Sequence, residues 1–190
     1  MNKTPQKIAF LVMRLQPQQK GHTDLIYKAL LENDLVIVLL GSSQEKGTKR
    51  NPFSTADKIS FLKQTFGVSS KLKIIAIRDI GASTKEEWTN HVFNTIEKAG
   101  LKQPSRYYSG DDLNAMFYED CINPYIKEKI EVIKVDRLET KIMSGTEIRN
   151  AINNGCESWK KHVPECLIGL IEEKYPKGLI NKYVENGKLK

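Results

Sequence analysis

The sequence predicts an α/β fold: a doubly wound parallel sheet, covered by helices on both faces and followed by C-terminal helices. Short, continuously apolar segments alternate along the chain with longer segments whose apolar residues recur at helical spacing. Continuously apolar strands are typical of parallel sheets, because both faces of such a sheet are buried. The predicted order is β-α-β-α-β-α-β-(α)-β followed by helices, and this order requires crossover connections between parallel strands.

Each of the five predicted strands is a short apolar segment. Residues 7–13 and 35–40 show the strongest pattern, since each contains six consecutive apolar residues. The other strands are predicted at residues 73–77, 105–109 and 130–135. Open α/β sheets bind ligands at the edge formed by the carboxyl ends of their parallel strands. Functional residues are therefore expected in the loops that follow the strands.

Helices are predicted between the strands. The first, over residues 23–32, places Leu25 and Ala29 on one apolar face. Ser54 can cap a second helix that runs to about Phe66, because a serine side chain accepts a hydrogen bond from the free amides of the first turn.

Two further helical sections complete the predicted pattern. Residues 85–98 form a helix that ends two residues before a glycine, which is a typical C-cap signal. A final helical section begins near residue 145, is interrupted at Gly155 and Pro164, and ends near residue 175.

The composition excludes several protein classes. A chain of 190 residues corresponds to about one domain of ~150 residues, so residues 1–190 are expected to form a single domain. Its core is expected over about 7–175, with a helical tail over 176–190. Contents of 12 Gly and 7 Pro are ordinary, which excludes collagen-like and linker sequences.

Membrane and secretion signals are not recognisable in the sequence. The longest charge-free apolar segment, residues 35–41, is far shorter than the ~20 residues of a membrane-spanning helix. The first seven residues lack the apolar core of a signal peptide. Three cysteines without a C-x-x-C pair indicate reduced thiols rather than disulfides or zinc. A soluble, cytoplasmic protein with no membrane partner is expected.

The net charge of +7 favours an anionic partner, which could be nucleic acid or a phosphorylated small molecule. The basic residues are dispersed, and no block of six like charges occurs. The sequence therefore predicts small-molecule substrates and no nucleic-acid partner.

The loop after the first predicted strand contains candidate phosphate ligands. Arg14 and Lys20 supply two positive charges, and Gly21 and His22 lie where the next helix begins. Backbone amides and the positive end of a helix dipole bind phosphate well. The alternative is that His22 serves only as a helix cap.

A second candidate is the segment M-S-G-T-E-I-R at residues 143–149. Ser144 and Thr146 can cap the following helix, while Arg149, one turn inside, can reach an anion at the same helix end. A plainly capped helix is the alternative. Both candidates follow strands, so they are expected at the same edge of the sheet.

Two common nucleotide-binding motifs are missing. No G-x-G-x-x-G follows the first strand, and the glycines of residues 41–47 have the wrong spacing for a P-loop and no following Lys.

The combination of R-x-Q-P-x-x-K-G-H after the first strand with S-G-T-E-I-R near the end resembles the HxGH nucleotidyltransferase superfamily, in particular the archaeal-type nicotinamide mononucleotide (NMN) adenylyltransferases. The resemblance covers roughly residues 7–175. Further matches occur in the same order along the chain: G-S-S-Q at 41–44, N-P-F-S-T-A at 51–56, R-D-I at 78–80 followed by Trp88, Y-S-G at 108–110, N-G at 154–155, Trp159, and H-V-P at 162–164. The resemblance implies a Rossmann-like nucleotidyltransferase fold. It also implies an enzyme of NAD biosynthesis that joins ATP and NMN to give NAD and pyrophosphate.

The resemblance implies roles for individual residues. The catalytic residues would be Arg14, His22 and Arg149. ATP would be bound by Gln16, Gln19, Lys20, Gly21, His22, Ser109, Gly110, Ser144, Gly145, Thr146 and Arg149, and NMN by Arg50, Asp79, Ile80 and Trp88. Magnesium would arrive with ATP, with no metal ligands supplied by the protein, and a homo-oligomer is expected.

The chain departs from the family pattern at several positions. Gln19 stands where the family has the first His of HxGH, and an amide can donate a hydrogen bond but cannot become positively charged. Lys58 stands where the family has Arg, and the segment between Ile80 and Trp88 is about two residues longer than usual. These departures leave two alternatives open: a related transferase with another phosphorylated acceptor, and a nucleotide-binding sensor without turnover.

Overall fold

Five parallel strands form one sheet. They are β1 (Ile8–Met13), β2 (Leu35–Leu40), β3 (Leu72–Ala76), β4 (Arg106–Ser109) and β5 (Glu131–Lys134). Their order across the sheet is β3-β2-β1-β4-β5, and all four neighbouring pairs are parallel. The predicted parallel α/β sheet is confirmed, and each predicted strand is present to within one residue at either end.

The centre of the sheet is the most apolar part of the chain. β1 and β2 pair along their whole length, from Ile8 opposite Leu35 to Met13 opposite Leu40. Every residue of β2 is buried. Helices cover both faces, which explains why these strands show no alternation of polar and apolar residues.

The chain changes direction between β1 and β4. From β1 it winds outward through β2 to β3, and then returns to the other side of β1 to add β4 and β5. In open sheets of this kind, the loops after the two central strands diverge and leave a crevice between them. The crevice is expected beyond Met13 and Ser109, the last residues of β1 and β4.

The helices that cross over between the first strands are α1 (Lys20–Glu32), α2 (Thr55–Phe66) and α3 (Lys85–Lys98). Helix α2 has the predicted cap, since the Ser54 hydroxyl accepts a bond from the amide of Asp57. Helix α1 begins three residues before the predicted start. The prediction at 23 was wrong because the N-cap of α1 is Gln19, which forms a capping box with His22: the Gln19 side chain accepts from the backbone amide of His22, and His22 Nδ1 accepts from the backbone amide of Gln19 at 3.1 Å.

The structure describes residues 115–130 of the connection between β4 and β5. It contains a π-helix (Phe117–Ile122) followed by a 3₁₀ turn (Asn123–Tyr125). The sequence predicted a helix in this connection without distinguishing its type.

The C-terminal section consists of short helices, as predicted. They are α4 (Gly145–Asn153), α5 (Ile168–Lys174) and the 3₁₀ turns Glu157–His162, Glu165–Leu167 and Lys177–Leu179. Their apolar residues pack with Phe53 and Phe61 of the α2 region in one buried cluster. This packing places the start of α4 against the loops after β1 and β2.

The computed structural model describes residues 6–110, 115–135 and 143–179. The predicted helical tail, residues 176–190, lies mostly outside these residues, as do parts of the loops after β4 and β5. No helix within the described ranges combines the length and the apolar composition needed to cross a membrane.

Candidate functional site

A cavity of about 1010 Å³ opens at the carboxyl ends of β1 and β4. This is the crevice that the strand order predicts. Its walls come from the loop after β1, the first turns of α1 and α4, the ends of β4 and β5, and Trp88 of α3.

Most of the residues predicted to bind ligands line this cavity. They are Arg14, Gln16, Gln19, Gly21, His22, Asp79, Trp88, Ser109, Gly110, Ser144, Gly145, Thr146 and Arg149. Three predicted residues are not among its lining residues. Lys20 is half-buried in the first turn of α1, Arg50 is exposed, and Ile80 lines a separate hollow of about 430 Å³.

The loop after β1 is held by side-chain contacts to backbone. Gln16 is buried, and its carboxamide both donates to the Phe53 carbonyl at 2.9 Å and accepts from the Phe53 amide at 2.9 Å. Gln18, also buried, donates to the hydroxyls of Thr23 and Thr65. These bonds fix the loop because buried amides lose free energy when they are left unpaired.

Arg149 joins three segments around the cavity. Its guanidinium donates to the Gln16 carbonyl at 2.8 Å, to the Lys49 carbonyl at 3.0 Å and to the Thr146 hydroxyl at 3.0 Å. Burial, and then the charge of Arg14, lower the pKa of Arg149. Positive charge is therefore concentrated at this wall in a partly desolvated setting, where an anion binds strongly.

Gly145 allows the loop after β1 to approach the start of α4 closely. A Cβ atom at this position would lie 3.3 Å from the Gln16 carbonyl oxygen, 3.2 Å from a nitrogen of Arg149 and 3.3 Å from Gln19 Nε2. The side-chain carboxamide of Gln19 therefore lies where the N-termini of α1 and α4 meet, and the dipoles of both helices favour negative charge at this point.

The hydrogen bond of His22 fixes its tautomer. Because Nδ1 accepts the Gln19 amide, a neutral His22 ring carries its proton on Nε2. His22 lines the cavity in this form, as a hydrogen-bond donor.

A single peptide group on the β2 side of the cavity is held between opposite charges. Lys58 Nζ donates to the carbonyl oxygen of Gly41 at 2.8 Å, and the amide of Ser42, at the other end of that peptide, donates to Asp79 Oδ1 at 3.1 Å. Ser42 has a φ of 52°, a left-handed conformation uncommon for serine. The two charged groups stabilise this turn, and both Gly41 and Asp79 line the cavity.

Lys58 supports the cavity wall, although the sequence alone gave it no predicted role. Its side chain is fully buried, and this burial is the main reason that its pKa is lowered to about 8. The negative charge of Asp79 raises the pKa of Lys58, whereas the positive charge of Arg14 lowers it further. One signal was available in the sequence, since Lys58 lies on the same helical face as the apolar Phe61 and Leu62. A lysine on a buried face is uncommon and indicates a specific partner.

Other lining residues were missed because their sequence signals are those of core or surface positions. Tyr107 and Tyr108 lie within β4 and read as strand core, although both line the cavity. The Tyr108 hydroxyl donates to Glu32 at 2.6 Å and accepts from Asn33 at 2.9 Å, which fastens β4 to the end of α1. Further missed lining residues with polar or charged side chains are Asp24, Lys28 and Lys134.

Within the part of the chain that the structure describes, no group of three or more His, Cys, Asp or Glu side chains is arranged to hold a metal ion. The donors that surround the cavity at the α1 and α4 ends are guanidinium, imidazole and amide groups. Guanidinium and amide N–H groups, and an imidazole N–H, donate hydrogen bonds that suit phosphate oxygens.

Comparison with known proteins identifies the family. The chain is 34% identical over 170 residues to the nicotinamide-nucleotide adenylyltransferase of Picrophilus torridus, with 87% of this chain and 90% of the relative covered. The chain belongs to the nicotinamide-nucleotide adenylyltransferase family. The enzyme of the same name from Methanococcus vannielii is 32% identical over 168 residues, covering 87% of this chain and 88% of the relative. No protein-family model matches the sequence.

Solved structures share the fold of this adenylyltransferase. The bifunctional NMN adenylyltransferase/ADP ribose pyrophosphatase of Francisella tularensis, complexed with AMP and Mn ion, aligns with a TM-score of 0.72 at 20% identity. The alignment covers 93% of this chain and 52% of the other, so this chain spans about half the length of the bifunctional protein. A NadR protein in complex with NAD and AMP-PNP aligns with a TM-score of 0.62 at 20% identity, covering 86% and 46% of the two chains.

The buried charge of Lys58 predicts a pH-dependent stability. The folded chain releases the Lys58 proton near pH 8, whereas the unfolded chain keeps it to about 10.5. Between these values the unfolded state binds more protons, so the free energy of unfolding rises with pH, by at most about 1.4 kcal/mol per unit. In urea unfolding from pH 7 to 10.5, the stability of wild type relative to Lys58→Met should therefore increase above pH 8.

The matched control for this experiment is Lys63→Met, which removes an exposed lysine of the same helix. It should follow the pH dependence of wild type. A constant difference in stability between wild type and Lys58→Met across this pH range would contradict the assignment.

Proposed function

We propose that this adenylyltransferase transfers AMP from ATP to NMN, giving NAD and pyrophosphate. The observation that supports the proposal most strongly is the convergence of Arg14, His22 and Arg149 on one cavity at the switch point of the sheet. Members of the family with at least 30% identity are named for this activity. The geometry fits two phosphorylated substrates that must be brought together.

The chemical step is an in-line displacement at phosphorus. An oxygen of the NMN phosphate attacks the α-phosphorus of ATP. The bond from that phosphorus to the bridging oxygen of the β-phosphate breaks, and pyrophosphate leaves with the electron pair. Reactions of this type depend on positioning and charge neutralisation, so no nucleophilic side chain is required.

Each wall of the cavity has a role in this proposal. Arg14 and Arg149 hold the triphosphate and neutralise the charge that develops on the leaving pyrophosphate, and His22 donates a hydrogen bond from Nε2 to the same phosphates. The first turns of α1 and α4, with Lys20, Gly21, Ser144, Gly145 and Thr146, offer backbone amides and hydroxyls to the same phosphates. Ser109 and Gly110 at the end of β4 contact the nucleoside of ATP.

The acceptor occupies the opposite wall. Trp88 packs on the nicotinamide ring, Asp79 borders the ring pocket, and Arg50 approaches the acceptor phosphate. The resemblance also assigns Ile80 to this pocket, although in the structure Ile80, the next residue along the chain, lines the separate hollow. Arg50 is exposed, yet its charge acts on Arg149, which supports a position at the mouth of the cavity. Gln16 supports ATP binding indirectly. Its side-chain carboxamide is bonded to the backbone of Phe53, and its backbone carbonyl accepts a hydrogen bond from Arg149, so Gln16 holds Arg149 in place.

Gln19 replaces the first histidine of the HxGH motif in this proposal. Its side-chain carboxamide lies at the N-terminus of α4, where its NH₂ group donates an uncharged hydrogen bond to a phosphate oxygen. Magnesium would be carried by ATP and would supply further charge neutralisation; the similar Francisella tularensis protein, complexed with AMP and Mn ion, supports a nucleotide substrate with a divalent metal. A single domain over residues 1–190 and a homo-oligomer remain predictions.

The proposed reaction is tested by incubating the protein with ATP, Mg²⁺ and NMN and measuring NAD through a coupled dehydrogenase. Wild type should form NAD, and Arg149→Ala should reduce kcat at least 100-fold, since about 10²–10³ is the usual loss when one such donor is removed. Arg106→Ala is the matched control, because Arg106 pairs with Glu131 at the opposite end of β4. If wild type forms no NAD, the acceptor assignment is wrong.

Restoring the motif imidazole tests the role of Gln19. Gln19→His should raise kcat and add an ionisation between about pH 6 and 7, near the usual pKa of histidine, to the pH–rate profile. Gln19→Ala, which removes the donor, should lower kcat at least 10-fold. An unchanged rate in both variants would show that Gln19 makes no contact with the reacting phosphates.

Replacing Trp88 separates the two substrates. Trp88→Ala should raise the KM for NMN about 5- to 160-fold, because stacking on an aromatic side chain is worth about 1–3 kcal/mol per base, and should leave the KM for ATP within two-fold. Trp88→Phe should have an intermediate effect. Equal increases in the KM values for NMN and ATP would show that Trp88 does not contact the acceptor specifically.

A further inference from the structure

His91 lies on α3, three residues after Trp88, and the reaction proposed above does not use it. Its side chain is half-buried and lines the separate hollow of about 430 Å³ rather than the main cavity. Its two side-chain contacts nevertheless lead to the acceptor wall. One reaches the Trp88 ring, and the other reaches the backbone next to Asp79.

The first contact is with the Trp88 indole. The centroids of the two rings lie 5.7 Å apart, with an interplanar angle of 47°. Side chains three residues apart meet on one face of a helix, which explains the approach. The indole also packs against the buried cluster that includes Phe10 and Tyr107. The imidazole therefore adds to the contacts that limit rotation of the indole.

The second contact crosses from α3 to the loop after β3. His91 Nε2 lies 2.9 Å from the carbonyl oxygen of Arg78. A carbonyl oxygen can only accept, so Nε2 is the donor. Nε2 carries a hydrogen both in the imidazolium and in one neutral tautomer, so the bond forms whether or not His91 is charged.

The peptide group that receives this bond is held at its other end as well. Its carbonyl belongs to Arg78 and its N–H to Asp79, and that N–H donates to Gln44 Oε1 at 3.1 Å. The Asp79 carboxylate in turn accepts from Gln44 Nε2 at 3.3 Å and from the Ser42 amide at 3.1 Å. Because a peptide group is planar, bonds at both ends fix its orientation.

The residue before this peptide group continues the pairing of β2 with β3. The Ile77 amide donates to the Leu40 carbonyl at 3.0 Å, and the Ile77 carbonyl accepts from the Ser43 amide at 3.2 Å. His91 is thus bonded to backbone that is itself fastened to the sheet.

The covalent connection from Asp79 to Trp88 runs through residues 80–84, most of which are exposed, before α3 begins at Lys85. The hydrogen bond from His91 to Arg78 joins the two ends of this loop directly. It therefore sets where the start of α3 lies relative to the Asp79 segment.

We propose that His91 is a positioning residue for the acceptor, which ties the Trp88 indole to the peptide group between Arg78 and Asp79. The inference rests on the proposed function, in which Trp88 and Asp79 border the ring of the acceptor. An indole free to rotate would lose entropy on stacking, and a preset plane avoids this loss. The acceptor class that fits such a wall is a mononucleotide with a planar heteroaromatic base.

A double-mutant cycle tests the proposal. His91→Phe keeps a ring beside the indole but removes the donor to Arg78. Alone, it should raise the KM for NMN about 3- to 12-fold, the effect of losing one ordinary hydrogen bond, with kcat and the KM for ATP within two-fold. In the Trp88→Ala background no indole remains to be held, so the same substitution should change the KM for NMN less than two-fold.

Two further variants show which feature of His91 matters. His91→Gln carries a carboxamide that can donate to the same carbonyl, so it should raise the KM for NMN less than His91→Phe does. Asn94→Ala is the matched control, because Asn94 is an exposed residue of α3 that lines the same hollow. It should leave all three kinetic constants within two-fold of wild type.

Fluorescence provides a readout that does not depend on turnover. The chain has two tryptophans, so Trp159→Phe leaves Trp88 as the single emitter. His91→Phe in that background should increase acrylamide quenching of Trp88 and lower its anisotropy. Asn94→Ala in the same background should leave both unchanged.

The outcomes separate this inference from the proposed function. If wild type forms no NAD, the proposed function fails, and the fluorescence of Trp88 still tests its link to His91. Unchanged Trp88 fluorescence in His91→Phe, or an equal rise in the KM for NMN in both backgrounds of the cycle, would overturn the inference. So would a parallel rise in the KM for ATP, or an effect of His91→Gln as large as that of His91→Phe.

Discussion

The guanidinium of Arg149 is the contact on which the arrangement of the cavity depends. It donates to backbone carbonyls of the loops after β1 and β2 and to the Thr146 hydroxyl of its own helix. These three segments are distant in sequence and meet only because the parallel strands end at one edge. Gly145 lets them approach closely, since any side chain there would press on the Gln16 carbonyl. Separation of this junction would open the cavity and disperse the charges that line it.

Concentrating positive charge in one place has an electrostatic cost. Arg14 acts unfavourably on both Arg149 and Lys58, and burial adds to the cost for each of them. Among the described residues, Asp79 offsets part of this cost for Lys58, and Tyr175 offsets part of it for Arg149. A phosphorylated ligand removes more of it, because negative charge then enters the region where the cations converge. The same physical feature that destabilises the empty site thus favours binding of anions.

Features that depend on the local pattern of residues could be predicted from the sequence, whereas features that depend on contacts between distant segments could not. Apolar strands such as Leu35–Leu40 and the Ser54 cap follow from spacing and residue type. The resemblance also directed attention to residues that meet at the cavity. The start of α1 was misplaced because its capping box is formed by Gln19 and His22, a pair that lacks the usual Ser or Thr at the N-cap and Glu at N3. The buried Lys58 and the π-helix Phe117–Ile122 required knowledge of which elements pack together.

The two sides of the cavity are built by different physical means. The side proposed for the phosphates consists of charged side chains and helix ends, whose interactions are strong and tolerant of small displacements. The side proposed for the acceptor is backed by packed rings: Phe10, Tyr107 and Tyr118 contact one another, and Trp88 of α3 is partly buried against the same cluster. Recognition of a flat ring depends on the angle between planes, so this wall must be rigid. Rigidity comes from the sheet itself, because β1 and β4 supply the inner rings of the stack.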